Sequence, residues 1–320
     1  IYNQNKFSYK FASYKVKKFL HFFLKQPKKK LNIVVYSDKS LELYSLIQAI
    51  FLSNSVFIPI SKNTPSNRII DMLADLKIDY FFYDNFNDKK TLNVIKKKFK
   101  IKNIKTICKL SNSSENKIIN HIQNYDDVCM IYFTSGSTGT PKGTKLSHYN
   151  YIKDFFLQKK HLYNDKVEKY VFGDYHETSF SIFYDIYFPA VFFGSALSPA
   201  KTFFEKTELI DHIRKNKVNV LITVPSTLQR VSNLYKKCNL KNVFKLIIIT
   251  GETFYLNQLK FLHDNFKSKK IFNCYGSTEL SNWVFYHKCK LTDHKKFKKF
   301  NLVPIGKKFD DVIMNIKNNI

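Results

Sequence analysis

Short runs of β-branched and aromatic residues alternate along this chain with longer segments whose apolar positions recur at helical spacing. NIVVYS (32–37) precedes SLELYSLIQAIFL (40–52), where Leu43, Leu46, Ile47 and Ile50 fall on one helical face. VFIPI (56–60), the helix-like SNRIIDMLADLK (66–77) and DYFFY (79–83) complete a β-α-β-α-β rhythm. The rhythm resumes later: VNVLITV (218–224), a helix opened by Pro225-Ser226, the buried-strand run KLIIIT (245–250), another helical segment, and KIFNCY (270–275). Apolar strands separated by helices predict an α/β fold, with parallel sheets covered by helices on both faces. No repeat, low-complexity linker or domain break interrupts the pattern.

Composition narrows the class. A chain of 320 residues with 44% hydrophobic content can bury a large core. The formal charge of +28 would suit nucleic acid or an anionic surface, but Arg68, Arg214 and Arg230 are the only arginines. Base reading and bidentate phosphate recognition favour guanidinium, so the lysine excess reads as compositional drift and no nucleic-acid partner is expected. Cys108, Cys129, Cys238, Cys274 and Cys289 are odd in number and scattered, which predicts a reduced, cytoplasmic protein. His287 and Cys289 stand close, but no second ligand pair has zinc-like spacing, which argues against a structural metal site. The apolar run FLHFF (19–23) is too short for a membrane span.

One stretch asks for a backbone explanation. The chain has eight glycines, and Gly136, Gly139 and Gly143 fall within eight consecutive positions of YFTSGSTGTPKGTKLSH (132–148). The preceding VCMIYF (128–133) reads as a buried strand, and Ser147 as the N-cap of a helix over HYNYIKDFFLQ. Glycines let successive N–H groups approach an anion, while Thr134, Ser135, Ser137 and Thr138 add hydroxyl donors and Lys142 a positive charge. The nucleotide-hydrolase pattern G-x-x-x-x-G-K-[ST] does not fit: Pro141 removes a cradle N–H, and Gly143 stands where a magnesium-holding hydroxyl is required.

The same residues carry a family resemblance. YFTSGSTGTPKGTKLSH resembles the phosphate-binding signature of the adenylate-forming (AMP-binding) superfamily, which includes acyl- and aryl-CoA synthetases and the amino-acid-activating domains of nonribosomal peptide synthetases. Further segments are similar to family motifs: IQAIFLSNSVFIPISKNTPSNRI (47–69), VNVLITVPSTL, IIITGETF (247–254) with Gly251 and Glu252, NCYGSTE (273–279) and VPIGK (303–307). The resemblance runs from about residue 30 to the end, and is nearest to amino-acid-adenylation domains and D-alanine-activating ligases. It implies that residues 1–320 are a partial N-terminal adenylate-forming domain, with the mobile C-terminal small domain lying beyond them.

By that resemblance, ATP and a carboxylic acid react to an acyl adenylate and pyrophosphate, with the acid then passed to a thiol of CoA or a carrier protein. Thr134, Ser135, Gly136, Ser137, Thr138 and Gly139, with Lys142, would cradle the β- and γ-phosphates. Gly251 and Glu252 would form a nucleotide-side turn, Tyr275 would stack on adenine, and Asn273 would offer its amide to the base. Thr278 would touch the α-phosphate, and Glu279 would hold Mg2+.

By the same resemblance, the acid pocket would fall in HETSFSIFYDIYFPAVFFGSAL (176–197) and around Cys274, Asn282 and Trp283, where relatives line the carboxylate pocket. His176 reads either as an aromatic gate or as a helix-start histidine. One alignment puts Ser181 where amino-acid-activating relatives carry an ammonium-binding Asp. The other puts Asp185 at a second acidic position and Phe180 at the anchor. Glu177 or Asp185 could substitute, and the substrate is an amino acid or another small acid. The alternatives are an acyl- or aryl-CoA synthetase, or a nucleotide-binding module without catalysis.

Overall fold

The computed structural model describes residues 6–86, 89–110, 124–134, 141–163, 169–200, 208–235, 240, 243–268 and 270–315. Two compact units emerge, and the chain passes between them more than once. The first comprises Ile1–Ile152, Tyr175–Phe183 and Pro199–Thr202, and the second Lys153–Asp174, Tyr184–Ser198 and Phe203–Ile320.

The first unit is built on a six-stranded sheet. Its elements are α1 (Tyr9–Leu24), β1 (Asn32–Tyr36), α2 (Leu41–Leu52), β2 (Val56–Pro59), α3 (Ser66–Leu73), β3 (Tyr80–Tyr83), α4 (Lys89–Lys98), β4 (Ile101–Asn103), α5 (Ile104–Leu110), β5 (Val128–Thr134) and β6 (Lys142–Ser147). The strand order is β4-β3-β1-β2-β5-β6, parallel except for the antiparallel β5–β6 pair at one edge. Alternation along the strands explains the two covered faces. Val34, Tyr36, Ile58, Phe81 and Ile131 form one core with Ile69 and Leu73 of α3 and Ile95 of α4. Phe82 and Phe57 face the other way, against Phe22 and Phe23 of α1 and Phe51 of α2. Helix α2 starts where the Ser40 hydroxyl accepts the Leu43 N–H, at 3.0 Å.

Helix α6 (His148–His161) follows β6 directly. Its cap is reciprocal: Ser147 Oγ accepts the Asn150 N–H at 3.3 Å, and Asn150 Oδ1 accepts the Ser147 N–H at 2.8 Å. The second unit adds β7 (Val171–Asp174), α7 (Ile182–Phe192), β8 (Ala196–Pro199), α8 (Leu209–Asn216), β9 (Val220–Thr223), α9 (Pro225–Leu234), β10 (Leu246–Thr250), α10 (Leu256–Asn265), β11 (Ile271–Ser277), β12 (Asn282–Lys288), α11 (Asp293–Lys296) and β13 (Lys307–Lys308). The seven strands are ordered β13-β12-β11-β10-β9-β7-β8. Strands β7, β9, β10 and β11 run parallel, and β12 and β13 return antiparallel at the edge. Every residue of β9 and β10 is buried, which is why both read as unbroken apolar runs. No helix among the described residues is long and apolar enough to cross a membrane.

Candidate active site

In each unit the parallel run ends in an antiparallel hairpin, and the hairpin turn carries the sequence motif. In the first unit Thr134 ends β5 opposite Lys142, the first residue of β6. Thr134 is half-buried and Lys142 exposed, so the ladder fixes both ends of the segment between them. Ser135, Gly136, Ser137, Thr138 and Gly139 lie outside the described residues. Strand β6 itself was not expected: the sequence predicts a loop running straight into α6. Only Leu146 of this strand is buried, so its pairing comes from β5 rather than from any apolar pattern of its own.

In the second unit the carboxyl ends of adjacent parallel strands bring three motifs side by side. Thr223 pairs with Ile249, and Thr250 with Cys274. Pro225-Ser226, Gly251-Glu252 and Cys274-Tyr275 therefore emerge along one edge, the position where open α/β sheets hold ligands. The Glu252 carboxylate accepts the Ser226 N–H at 2.8 Å and the Ser226 hydroxyl at 2.8 Å. It thus caps the start of α9, where Pro225 leaves no donor and the helix dipole favours an anion. The Asn273 amide nitrogen donates to Pro304 O at 3.0 Å and Val303 O at 3.3 Å. Asn273 thereby ties the VPIGK motif to β11.

Beyond Cys274 the strand turns outward. Tyr275 is 52% exposed, its ring 6.2 Å from that of Phe285. The ladder slips between Tyr275 and Gly276, placing Trp283 opposite Gly276 and Asn282 opposite Ser277. Such a bulge re-aims the side chains that follow it. Thr278–Leu280 form a single 3-10 turn, closed by Ser281 in the left-handed conformation at φ 67°. Glu279 is exposed and Thr278 half-buried, so a carboxylate and a hydroxyl are presented at the turn. That donor set fits Mg2+, which is held by one or two carboxylates together with phosphate oxygens and water.

The expected pocket residues divide between the units. His176 and Ser181 are half-buried in the first unit. There Glu177 accepts hydrogen bonds from Ser61 Oγ at 2.5 Å and Asn63 Nδ2 at 3.0 Å. Asp185, Cys274 and Trp283 are buried in the second unit. Gln158 of α6 donates to Asp185 Oδ1 at 2.9 Å. Burial, reinforced by Asp154, pushes the Asp185 carboxyl well above the usual range against the pull of Gln158. Burial, and then Asp185, raises the Cys274 thiol. Asp154 and Gln158 were not singled out from the sequence. The signal was available, since they stand four residues apart on one face of α6. Among the described residues Cys108, Cys129, Cys274 and Cys289 are free and buried.

Two mostly parallel sheets, each ending in a motif-bearing hairpin, define a core built to present backbone and hydroxyl groups at strand ends. The family model described as AMP-binding enzyme matches residues 1–319, and the chain belongs to that family, within the adenylate-forming superfamily. It is 26% identical over 281 residues to bacitracin synthase 1 of Bacillus licheniformis, covering 85% of this chain and 5% of that protein. It is 24% identical over 291 residues to tyrocidine synthase 3 of Brevibacillus parabrevis, covering 88% of this chain and 4% of that protein. The chain thus spans 5% or less of the length of these relatives. Among solved structures, the fold matches the N-terminal subdomain of Klebsiella oxytoca NpsA in complex with 3-hydroxyanthranilyl-AMSN, with a TM-score of 0.80, 20% identity, and coverage of 97% of this chain and 75% of that one. It also matches the Vibrio cholerae adenylation domain AlmE in complex with glycyl-adenosine-5'-phosphate, with a TM-score of 0.82, 18% identity, and coverage of 96% and 60%.

Proposed function

We propose that this protein uses ATP to activate a small carboxylic acid as an acyl adenylate, releasing pyrophosphate, and that the acyl group then passes to a thiol of a carrier protein or CoA in the cytoplasm. The observation that carries the reading is the family match over residues 1–319. The paired strand-end motifs of the second unit support it. A carboxylate oxygen of the acid attacks the α-phosphorus, and the bond from that phosphorus to the bridging oxygen breaks, so pyrophosphate leaves with the electron pair. Little covalent chemistry falls to the protein, so positioning and charge stabilisation dominate.

In this reading the 134–139 segment and Lys142 gather the charge of the departing pyrophosphate. Tyr275 offers its exposed ring to adenine, and the Thr278 hydroxyl serves the α-phosphate. Glu279 would hold Mg2+, which would neutralise phosphate charge. Gly251 and Glu252 shape the nucleotide side of the site through the cap on α9, and Asn273 through its hold on Val303 and Pro304. In the second unit, Asp185, Cys274 and Trp283 would border the acid. Replacing Tyr275 by Ala is expected to weaken ATP binding about tenfold, because stacking a base on an aromatic ring contributes about 1–3 kcal/mol. Isothermal titration with Mg2+-ATP reads this out, and unchanged affinity would remove Tyr275 from the adenine contact.

Glu177 is engaged with Ser61 and Asn63, and Asp185 is bound to Gln158 with its carboxyl held toward the neutral form. These engagements favour a second substrate reading, a small acid without an ammonium group, since an unpaired ammonium is costly to bury. Hydroxylamine trapping of the adenylate over a panel of amino acids and aryl or other small acids tests both. A carboxylate-dependent hydroxamate is the expected result, and its absence across the panel with the full-length gene product sinks the activation reading in favour of nucleotide binding alone. The resemblance places a ribose-binding Asp and a carboxylate-polarising Lys beyond the VPIGK motif.

A further inference from the structure

The extended end of β12 and the turn after it collect three different donor atoms that the adenylation chemistry does not use. His287 lies on β12, opposite Asn273 of β11. Cys289 follows two residues later, and its N–H donates to Ile271 O at 2.8 Å, which holds the chain extended at the end of the ladder. Residues two apart on an extended chain point to the same side. The turn at 290–293 then folds back and delivers Asp293, whose Oδ2 accepts the Lys290 N–H at 2.8 Å and lies 2.8 Å from His287 Nε2. The imidazole nitrogen, thiol sulfur and carboxylate oxygen lie within 4.8 Å of one another. Cys289 is 8% and Asp293 3% exposed, and His287 is half-buried with its ring edge-on to Phe297 at 6.0 Å.

We propose that His287, Cys289 and Asp293 form a binding site for a zinc-class divalent cation. The His287–Asp293 hydrogen bond and the Cys289 thiol donating to His287 O at 3.9 Å engage each donor singly, but do not explain why nitrogen, sulfur and oxygen gather at one place. Zinc accepts all three donor types at about 2.0–2.3 Å. Seating it requires the outermost donor to close by about 1 Å and the His287–Asp293 contact to open slightly. The thiol selects against Mg2+ and Ca2+, which take oxygen ligands. A cysteine binds such a cation as the thiolate, so its proton must leave on binding. Binding forms the sulfur–metal bond, breaks the S–H bond and releases the proton to solvent. The imidazole binds neutral, in place of its contact with Asp293, and thiolate plus carboxylate balance the cation. Water completes the tetrahedron.

Such an ion would fasten the return strand of the β11–β12 hairpin to the 290–293 turn. The set has no second Cys or His pair to mark it in the sequence, because its third donor is an aspartate brought back by a turn. The proposal is independent of the adenylation reading.

Cobalt(II) added to chelator-stripped protein tests it directly. The expected result is one equivalent bound, with the visible bands of a tetrahedral ion and a thiolate-to-cobalt charge-transfer band, all displaced by one equivalent of zinc. In Cys289→Ser the charge-transfer band is lost. In Asp293→Asn it survives, with cobalt affinity reduced at least tenfold. Circular dichroism establishes that each variant is folded, and if one fails to fold the other decides. No charge-transfer band in the wild-type protein overturns the proposal whatever the variants do, and so does a band that persists unchanged in folded Cys289→Ser.

Discussion

Replacing Gly306 by alanine is expected to destabilise the second unit by about 3–5 kcal/mol, through left-handed backbone strain and overpacking acting together. Gly306 sits at φ 84°, where a Cβ is disfavoured. A Cβ there would also lie 2.2 Å from Tyr286 O and 2.7 Å from His287 Cα. Both are backbone atoms of β12, which is held between β11 on one side and β13 on the other. Neither can yield without breaking a ladder. The chain cannot swing away, because Asn273 grips Val303 O and Pro304 O just upstream and Lys307 pairs with Tyr286 just downstream. Gly194 is the internal control: it has φ 59° but nothing within 4 Å of the added carbon. Gly194→Ala is therefore expected to cost only about 1 kcal/mol, the backbone share alone. Urea denaturation of the two variants separates the contributions. Equal losses would show that the close approach to β12 carries no energetic weight.

That glycine shows how the sequence and the structure divide the information. VPIGK is visible as a motif, and the resemblance marks its glycine, but the reason for it is a strand some twenty residues away in sequence. The parallel strands were legible because their physics is local. The runs around β1, β2, β3, β9 and β10 are apolar throughout, since both faces are covered, and helices α2, α3 and α9 announce themselves by spacing and by Ser40 or Pro225 at their starts. Edge strands were not legible. Strand β6 buries only Leu146, and β13 is two exposed lysines, so each exists by virtue of its neighbour.

The division into two units was hidden for a related reason. Two of its boundaries run through helices, through α6 between Ile152 and Lys153 and through α7 between Phe183 and Tyr184. No composition shift marks a boundary inside a continuous helix. At the site, the residue types at the strand ends were readable, and their partners were not. Nothing in the linear order says that Glu252 caps α9, that Asn273 holds Pro304, or that Asp185 meets Gln158. Each pairing spans between 26 and 31 residues and depends on how strands and helices pack, not on neighbours in sequence.

Asp154 shows what such hidden pairings cost, and Asp154→Asn is expected to stabilise the protein at neutral and alkaline pH. The residue lies on α6, its Oδ2 is shut away from solvent, and no hydrogen-bond partner for that atom occurs among the described residues. Burial pushes its carboxyl up to about 8, with Lys153 offsetting only part of the effect. Because the folded pKa is raised above the unfolded value near 3.8, the folded chain keeps a proton that the unfolded chain has given up across that interval. Stability must then fall as pH rises from about 4 to about 8, and change no further from this group on either side. An asparagine has the same shape and no proton to lose. Its advantage should be near zero at pH 4 and should grow through neutrality to a plateau of about 2–3 kcal/mol above pH 8, part of the linkage ceiling being taken up by solvent near this partly buried residue. Removing Asp154 also lifts one of the influences holding Asp185 protonated, which adds to the gain. Urea unfolding at pH 4.5, 6 and 8 checks the slope as well as the size. An Asp154→Asn protein no more stable than wild type at pH 8 would mean that the carboxylate finds compensation on α6.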